Sequence, residues 1–257
     1  MNGNVMAAVV ACICTAMAGC GGSDRQHEGN QASSRVGLQE EMTYYGNGRP
    51  KKRILFYRDS VGHIVVDGRQ AEWYDNGQVW METDCKDGRV DGEQTEWYSD
   101  GTKKMYGIHR NGKETGVWQA WQPTGEKMWE ATYKDGKIVG SKTWWMKDNV
   151  VRVEHYGKDG VINELETWGD NGAKECRGSY TGGEQDGTWT YWYLDGRVKA
   201  IGEWKNGKPW SGICLIPAAG DAGSWAGLGT FRLYKNGVDV GPAVLPPASS
   251  APATTGK

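Results

Sequence analysis

A short unit recurs six times between Gly68 and about Lys208, and this recurrence restricts the fold more than any other feature. Gly68, Gly92, Gly116 and Gly140 fall 24 residues apart, and five residues after each comes a tryptophan: Trp73, Trp97, Trp121 and Trp145. Two further copies, slipped by one residue, carry Trp168 and Trp192. Self-similarity at a fixed period specifies an array in which each unit packs only on its neighbours. A chain of 257 residues is long enough for two ordinary domains. The repeats instead predict one quasi-linear array with short tails.

Within each copy, two short runs alternate with turn signals. After the tryptophan comes Asp75-Asn76-Gly77, Ser99-Asp100-Gly101, Pro123-Thr124-Gly125, Asp170-Asn171-Gly172 or Leu194-Asp195-Gly196. The fourth copy has Lys147-Asp148-Asn149, with asparagine in the glycine position. Asparagine is the other residue that tolerates positive φ. The second turn reads Lys86-Asp87-Gly88, Arg110-Asn111-Gly112, Lys134-Asp135-Gly136, Lys158-Asp159-Gly160, Thr181-Gly182-Gly183 and Lys205-Asn206-Gly207. Asn-Gly and Asp-Gly between short alternating runs are the strongest local hairpin signal. The expected fold is all-β: an elongated single-layer antiparallel sheet of repeated two-stranded hairpins.

Loop length decides which side chains share a face, because a one-residue change of register exchanges the faces. Three-residue first turns closed by a glycine bulge would put the tryptophans on one face with Met81, Met105, Trp129, Val153, Cys176 and Ala200. Those columns are the most apolar, so this is the expected packed face, with Tyr133, Tyr180 and Trp204 added to it. The opposite face begins with Gln70, Glu72 and Tyr74, then Gln94, Glu96 and Tyr98. Later copies place Trp118, Trp144, Trp189, Tyr191 and Tyr193 there. Either these five form an exposed aromatic binding patch, or the sheet twists so that they pack on neighbouring strands.

The Gly, Asn-Gly and Trp columns, read as Trp-Tyr…Asn-Gly…Lys-Asp-Gly…Gly, resemble the bacterial MORN-repeat variant, a family that includes YwqK-type antitoxins. The resemblance covers Gly68 to about Lys208. It implies an elongated hairpin array used for protein or membrane contact. The array needs ends, and the expected span is 42–241, with clear copies over 68–211 and degenerate caps over 42–67 and 212–241. Residues 242–257, rich in Pro, Ala, Ser and Thr, read as a disordered tail.

At the N-terminus, Val5 to Ala18 is an apolar run of the length of a signal-peptide core, too short to span a bilayer. It ends in Met17-Ala18-Gly19-Cys20-Gly21, which resembles the lipobox of bacterial lipoproteins. That resemblance implies a leader over 1–19, lipid attachment at Cys20 and a lipid-anchored place in the bacterial cell envelope. Leucine is usual where Met17 stands, and the first four residues carry no Lys or Arg. Residues 20–41 read as a flexible tether of roughly 25 Å reach. Past Cys20 the chain keeps Cys85, Cys176 and Cys214. Several strands separate them, beyond the reach of a disulfide, so three free, packed thiols are expected.

Net charge is −2, with 30 basic and 32 acidic residues, so nothing steers the chain to nucleic acid. The aromatics are 14 Trp and 12 Tyr against 2 Phe. Amphipathic rings of this kind suit a half-wet sheet face. His63, His109 and His155 lie about 20 Å from one another by strand stacking, too far to share a metal. The turn aspartates recur too sparsely for a calcium roll and are explained by turn chemistry. No catalytic residue, metal site or cofactor is expected. The expected role is a membrane-anchored envelope lipoprotein whose array binds or scaffolds a protein partner. The alternatives are a glycan or peptidoglycan binder, and a toxin-neutralising, antitoxin-like protein.

Overall fold

The computed structural model describes residues 36–217 and 229–247. The expected leader, Cys20, most of the tether and the last ten residues lie outside the described residues. All regular structure among those described is β, and it falls into two compact units divided after Glu114.

The first unit holds β1 (Val36–Tyr44), β2 (Pro50–Arg58), β3 (Ile64–Val66), β4 (Gly68–Trp73), β5 (Val79–Lys86), β6 (Arg89–Trp97) and β7 (Lys103–Arg110). Each strand pairs antiparallel with a sequence neighbour, and β2 also reaches past the short β3 to pair with β4. The tether is therefore shorter than expected. Gln39, Glu40 and Glu41 pair with Phe56, Leu55 and Ile54 as part of β1.

The second unit takes β8 (Lys113–Trp121) from Thr115 onward and runs through β9 (Lys127–Lys134), β10 (Lys137–Met146), β11 (Asn149–Tyr156), β12 (Ile162–Trp168) and β13 (Lys174–Thr181). It continues through β14 (Glu184–Trp192), β15 (Val198–Lys205), β16 (Lys208–Pro217), β17 (Gly229–Lys235) and β18 (Val238–Pro242). It too is a meander of antiparallel neighbours. Past β18 the chain does not begin a free tail. The Ala243 N–H donates to the Phe231 carbonyl at 3.0 Å, and the chain passes on over Tyr193 and Arg197.

The first turns have three residues, as expected. In Asp75-Asn76-Gly77 the Gly77 N–H donates to Tyr74 O at 3.0 Å and the Tyr74 N–H to Gln78 O at 2.8 Å, with Gly77 at φ 92°. Two-residue second turns follow, with both residues at positive φ, as in Asp87-Gly88 at 48° and 79°. The fourth copy departs from the expectation. Its turn is the two-residue Lys147-Asp148, at φ 49° and 64°, and Asn149 already pairs with Met146 as a strand residue.

The expected sharing of faces is overturned. Trp73 pairs with Val79, but the next pair is Glu72 with Met81, so a second bulge at Trp80 follows the turn. That extra residue reverses the parity beyond it. Met81 therefore lies with Glu72, Gln70, Gln94, Glu96 and Met105, opposite Trp73 and Trp97. The same shift recurs after Trp121, Trp145, Trp168 and Trp192. In the fourth copy Arg152, not Val153, falls on the packed face, because Val153 pairs with Glu166.

The period-marking glycines open a wider bulge. Tyr133 pairs with Ile138 and Ala131 with Lys142, so one strand advances by two residues while the other advances by four around Gly140, at φ 75°. The fifth copy has a single-residue offset at this place, between the pairs His155–Glu164 and Tyr156–Ile162. The fourth copy, before it, has the longer Lys158-Asp159-Gly160 type as its second turn and the shorter type as its first. One residue lost at a turn, one gained at the next and one lost at the bulge leave a net loss of one. This accounts for the slip between Trp145 and Trp168.

Candidate functional site

The five late aromatics do not form an exposed patch. Trp118, Trp189 and Tyr191 are 2%, 0% and 4% exposed. Each ring lies across the sheet from a small residue: Trp118 opposite Ala131, Trp189 opposite Gly178, Tyr191 between Cys176 and Ala200. The converse holds for Trp129 opposite Ala120 and Trp204 opposite Gly187. Missing side chains on one strand thus leave space that a ring on the next strand fills. Edge contacts complete the layer, with Trp118–Tyr133 at 6.0 Å, Tyr180–Trp189 at 5.4 Å and Tyr191–Phe231 at 5.3 Å. Trp189 and Tyr191 belong to the core cluster of the second unit, together with Leu165, Trp204 and Cys214. Tyr193 is half-buried, and its hydroxyl donates to the Pro246 carbonyl, while Arg197 Nη2 donates to Pro247 O at 3.0 Å.

Trp144 belongs to a different arrangement on the same face. The Lys142 ammonium stands 4.2 Å from the Trp129 ring centre and 4.4 Å from that of Trp144. Glu154, buried beside them, accepts from Arg152 at 2.6 Å, Tyr156 at 2.9 Å and Trp144 Nε1 at 3.4 Å. Burial pulls the Lys142 pKa down, an effect that Glu154 opposes. Burial and Glu154 together push the Tyr156 phenol up. Arg152 matches Glu154, and the Lys142 ammonium is held between two rings of the same chain, so the cluster reads as an internal strut.

The opposite face carries the tryptophans that sequence reasoning assigned to packing. In the second unit Trp121, Trp145, Trp168 and Trp192 occupy one position on β8, β10, β12 and β14, and all four are half-buried. Lysines stand in two of the three intervals, and Val150 pairs with Trp145 in the remaining one. Lys127 pairs with Trp121 across the hairpin and places its ammonium 5.0 Å from the Trp145 ring centre. Lys174 pairs with Trp168 and lies 5.4 Å from that ring and 5.7 Å from Trp192.

Each of these lysines also meets a carboxylate, Lys127 with Glu130 at 2.9 Å and Lys174 with Glu166 at 2.5 Å. Hydrogen bonds from Gln119 and Lys127 hold the Glu130 carboxyl below its usual range. At Glu166 burial pushes the pKa up, but Lys174 and Arg177 outweigh it and leave the group below its usual range. The first unit repeats the motif on a smaller scale. Trp73 and Trp97 are half-buried, Lys103 pairs with Trp97, and a cleft of ≈ 240 Å³ lined by Gln78, Val79, Glu82, Trp97 and Gly101 lies beside it. The signal for this face was present in the sequence as Lys103, Lys127 and Lys174, each six residues after a tryptophan of the column.

The structural repeat glycines lie where turn chemistry put them. Gly77, Gly101, Gly125, Gly172 and Gly196 close three-residue turns, and Gly88, Gly112, Gly136, Gly183 and Gly207 complete two-residue ones. Gly160 is the exception, closing a three-residue loop in a second-turn position. Cys85, Cys176 and Cys214 are free and buried.

Residues 185–206 match the model of the MORN repeat variant family. No curated protein matches the chain. The matched segment is the β14–β15 hairpin, so the match supports a MORN-repeat protein. The same sequence of turn and bulge recurs in the other hairpins of both units. Repeats of this family are in general non-catalytic binding modules.

Proposed function

We propose that this chain is a non-catalytic binding protein of the bacterial cell envelope, held to a membrane by an acyl chain on Cys20. Its repeat array serves as a binding and scaffolding surface. The observation that carries this reading is the row of half-buried tryptophans, one per repeat at one register, which keep part of each ring in solvent on the face opposite the aromatic core. A chain that needed tryptophan only for packing would bury these rings as it buries Trp118 and Trp189. A protein partner would find its contact energy in the same rings. The antitoxin-like reading would use the same row against a toxic partner.

Two experiments test this reading. Cys20→Ala should move the protein from the membrane fraction to the soluble fraction of cells, and retention on the membrane would refute acyl anchoring. Photo-crosslinking of the full chain in native envelopes should yield a specific adduct that Trp145→Leu/Trp168→Leu abolishes. An adduct unchanged in that variant would place the working surface elsewhere.

A further inference from the structure

We infer that the tryptophan row of the second unit binds an uncharged linear polysaccharide, with a β-1,4-linked chain as its best fit. This names the partner for the surface proposed above and rests on that proposal. Three observations lead to it.

The first is spacing. The rings sit on alternate strands, and two strand separations amount to roughly 10 Å. This is about the repeat of an extended β-1,4-linked disaccharide. The spacing is bounded between Trp168 and Trp192, because one Lys174 ammonium lies 5.4 Å from the first ring centre and 5.7 Å from the second. Their separation cannot exceed the sum of those distances. An extended glycan would therefore meet the same ring at every second sugar, its C–H face against the electron-rich face of the indole.

The second is charge. Between the rings lie Lys127 with Glu130 and Lys174 with Glu166, so each cation carries its own anion. The row presents no net charge to a polyanion. It does present a donor beside an acceptor in two of its three intervals, with Gln119 Nε2 adding to Glu130 at 2.8 Å. Sugar hydroxyls donate and accept at once and can join such a pair without leaving a charge uncompensated. The core of a protein–protein interface, by contrast, is depleted of Lys and Glu, and here those residues stand in two of the three intervals of the row.

The third is shape. The row lies along an open sheet face, and the larger cleft described, of ≈ 420 Å³, is formed elsewhere by turn residues including Gly157, Lys158 and Gly182. A small sugar would find little enclosure in the row. A long polymer gains by engaging several rings in succession.

The test uses the full chain, purified in detergent, and co-sedimentation with insoluble chitin, cellulose and peptidoglycan sacculi. Retention on at least one polymer is expected to survive about 1 M salt, where the screening length is ~3 Å. Trp145→Leu/Trp168→Leu, which keeps apolar bulk while removing two stacking surfaces, should weaken retention at least tenfold, about one aromatic contact's worth. Trp210→Leu, at an exposed tryptophan outside the row, should leave it unchanged. Circular dichroism checks that each variant is folded. If the double variant unfolds, Lys174→Met/Glu166→Met carries the test, since it removes the polar pair and spares the rings. Retention lost in salt, or equal in wild type and row variants, overturns the inference. Absence of retention on all three polymers also overturns it. In that case a row-dependent envelope crosslink to a protein would leave the binding surface standing, and no such crosslink would remove both proposals.

Discussion

Gly178→Ala adds one methyl group and tests whether the aromatic core is built on missing side chains. Gly178 lies directly across the β13–β14 pair from Trp189. A Cβ at Gly178 would fall 2.0 Å from Cδ2 of that indole, 2.2 Å from Cε2 and 2.5 Å from Cε3. The Gly178 backbone is not left-handed, so alanine is excluded by the ring alone. The indole has little room to retreat, being 0% exposed, edge-on to Tyr180 at 5.4 Å and bonded through Nε1 to Ser179 O at 3.2 Å. Overpacking of this kind costs about 2–3 kcal/mol, which for a unit of this size lowers Tm by roughly 5–10 °C. Gly46→Ala is the reference, since no heavy atom lies within 4 Å of its Cβ position. That substitution should be neutral or stabilise by about 0.4–1 kcal/mol. Thermal melts by far-ultraviolet circular dichroism measure both. Trp189→Leu combined with Gly178→Ala should cost less than the two changes added separately. A Gly178→Ala protein that melts with wild type would refute the ring-on-glycine packing and the explanation of why the late aromatics are buried.

Two further outcomes follow from buried titratable groups. His109 is 2% exposed, and burial pulls its pKa below the ordinary 6.5, with Glu114 opposing. The unfolded chain binds that proton more readily, so stability is fully present above about pH 6.5 and falls as the pH drops below it. His109→Gln should flatten this slope in urea titrations near pH 7.5 and 5.5, and an unchanged slope would assign the effect to other groups. Burial also pushes the Cys176 thiol up to about 12 and the Cys214 thiol up to about 11. Both should resist maleimide in the native protein at neutral pH and react fully in urea. Rapid native labelling of either would contradict the packing described.

The hairpins and most of their turns were legible in the sequence because Asn-Gly and Asp-Gly force particular backbone conformations wherever they occur. The faces were not. The bulge after each first turn falls on a residue with no distinguishing chemistry, such as Trp80, and that one residue inverts every side chain beyond it. Apolar content then pointed the wrong way, because the first unit buries polar groups. Gln70 is 2% exposed, accepting from Leu55 N at 2.9 Å and donating to Leu55 O at 3.1 Å, so its amide substitutes for a missing strand residue. Glu96 is 1% exposed, held by Lys104 at 3.1 Å and Gln94 at 3.2 Å. The readable clue was Gly or Ala opposite each large ring. It becomes readable only once the pairing is known.

If the row of tryptophans is the working surface, register is the property the repeats must preserve, and this leads to a prediction about where an extra residue is tolerated. The fourth copy closes on the two-residue Lys147-Asp148, both at positive φ, while other first turns use three residues with only the glycine there. In both forms the first pairs beyond the turn are equivalent, Trp145 with Val150 as Trp73 with Val79, and the next offset is the same. A glycine inserted after Asp148 should therefore convert one turn into the other without moving any pair downstream. It should also release Lys147 and Asp148 from left-handed backbone, a relief of about 1 kcal/mol or more, partly offset by the longer loop. The insertion should leave Tm unchanged or slightly raised, and Trp168 should stay half-buried. A glycine inserted after Glu154 in β11 has no turn to absorb it. It would turn the rest of that strand over, breaking its pairing with β12 at Tyr156–Ile162. That variant should lose several kcal/mol of stability, on the order of a broken buried network. Thermal melts and acrylamide quenching of tryptophan fluorescence compare the two directly. Equal damage from both insertions would mean that the turns, rather than the bulges beyond them, set the register of the row.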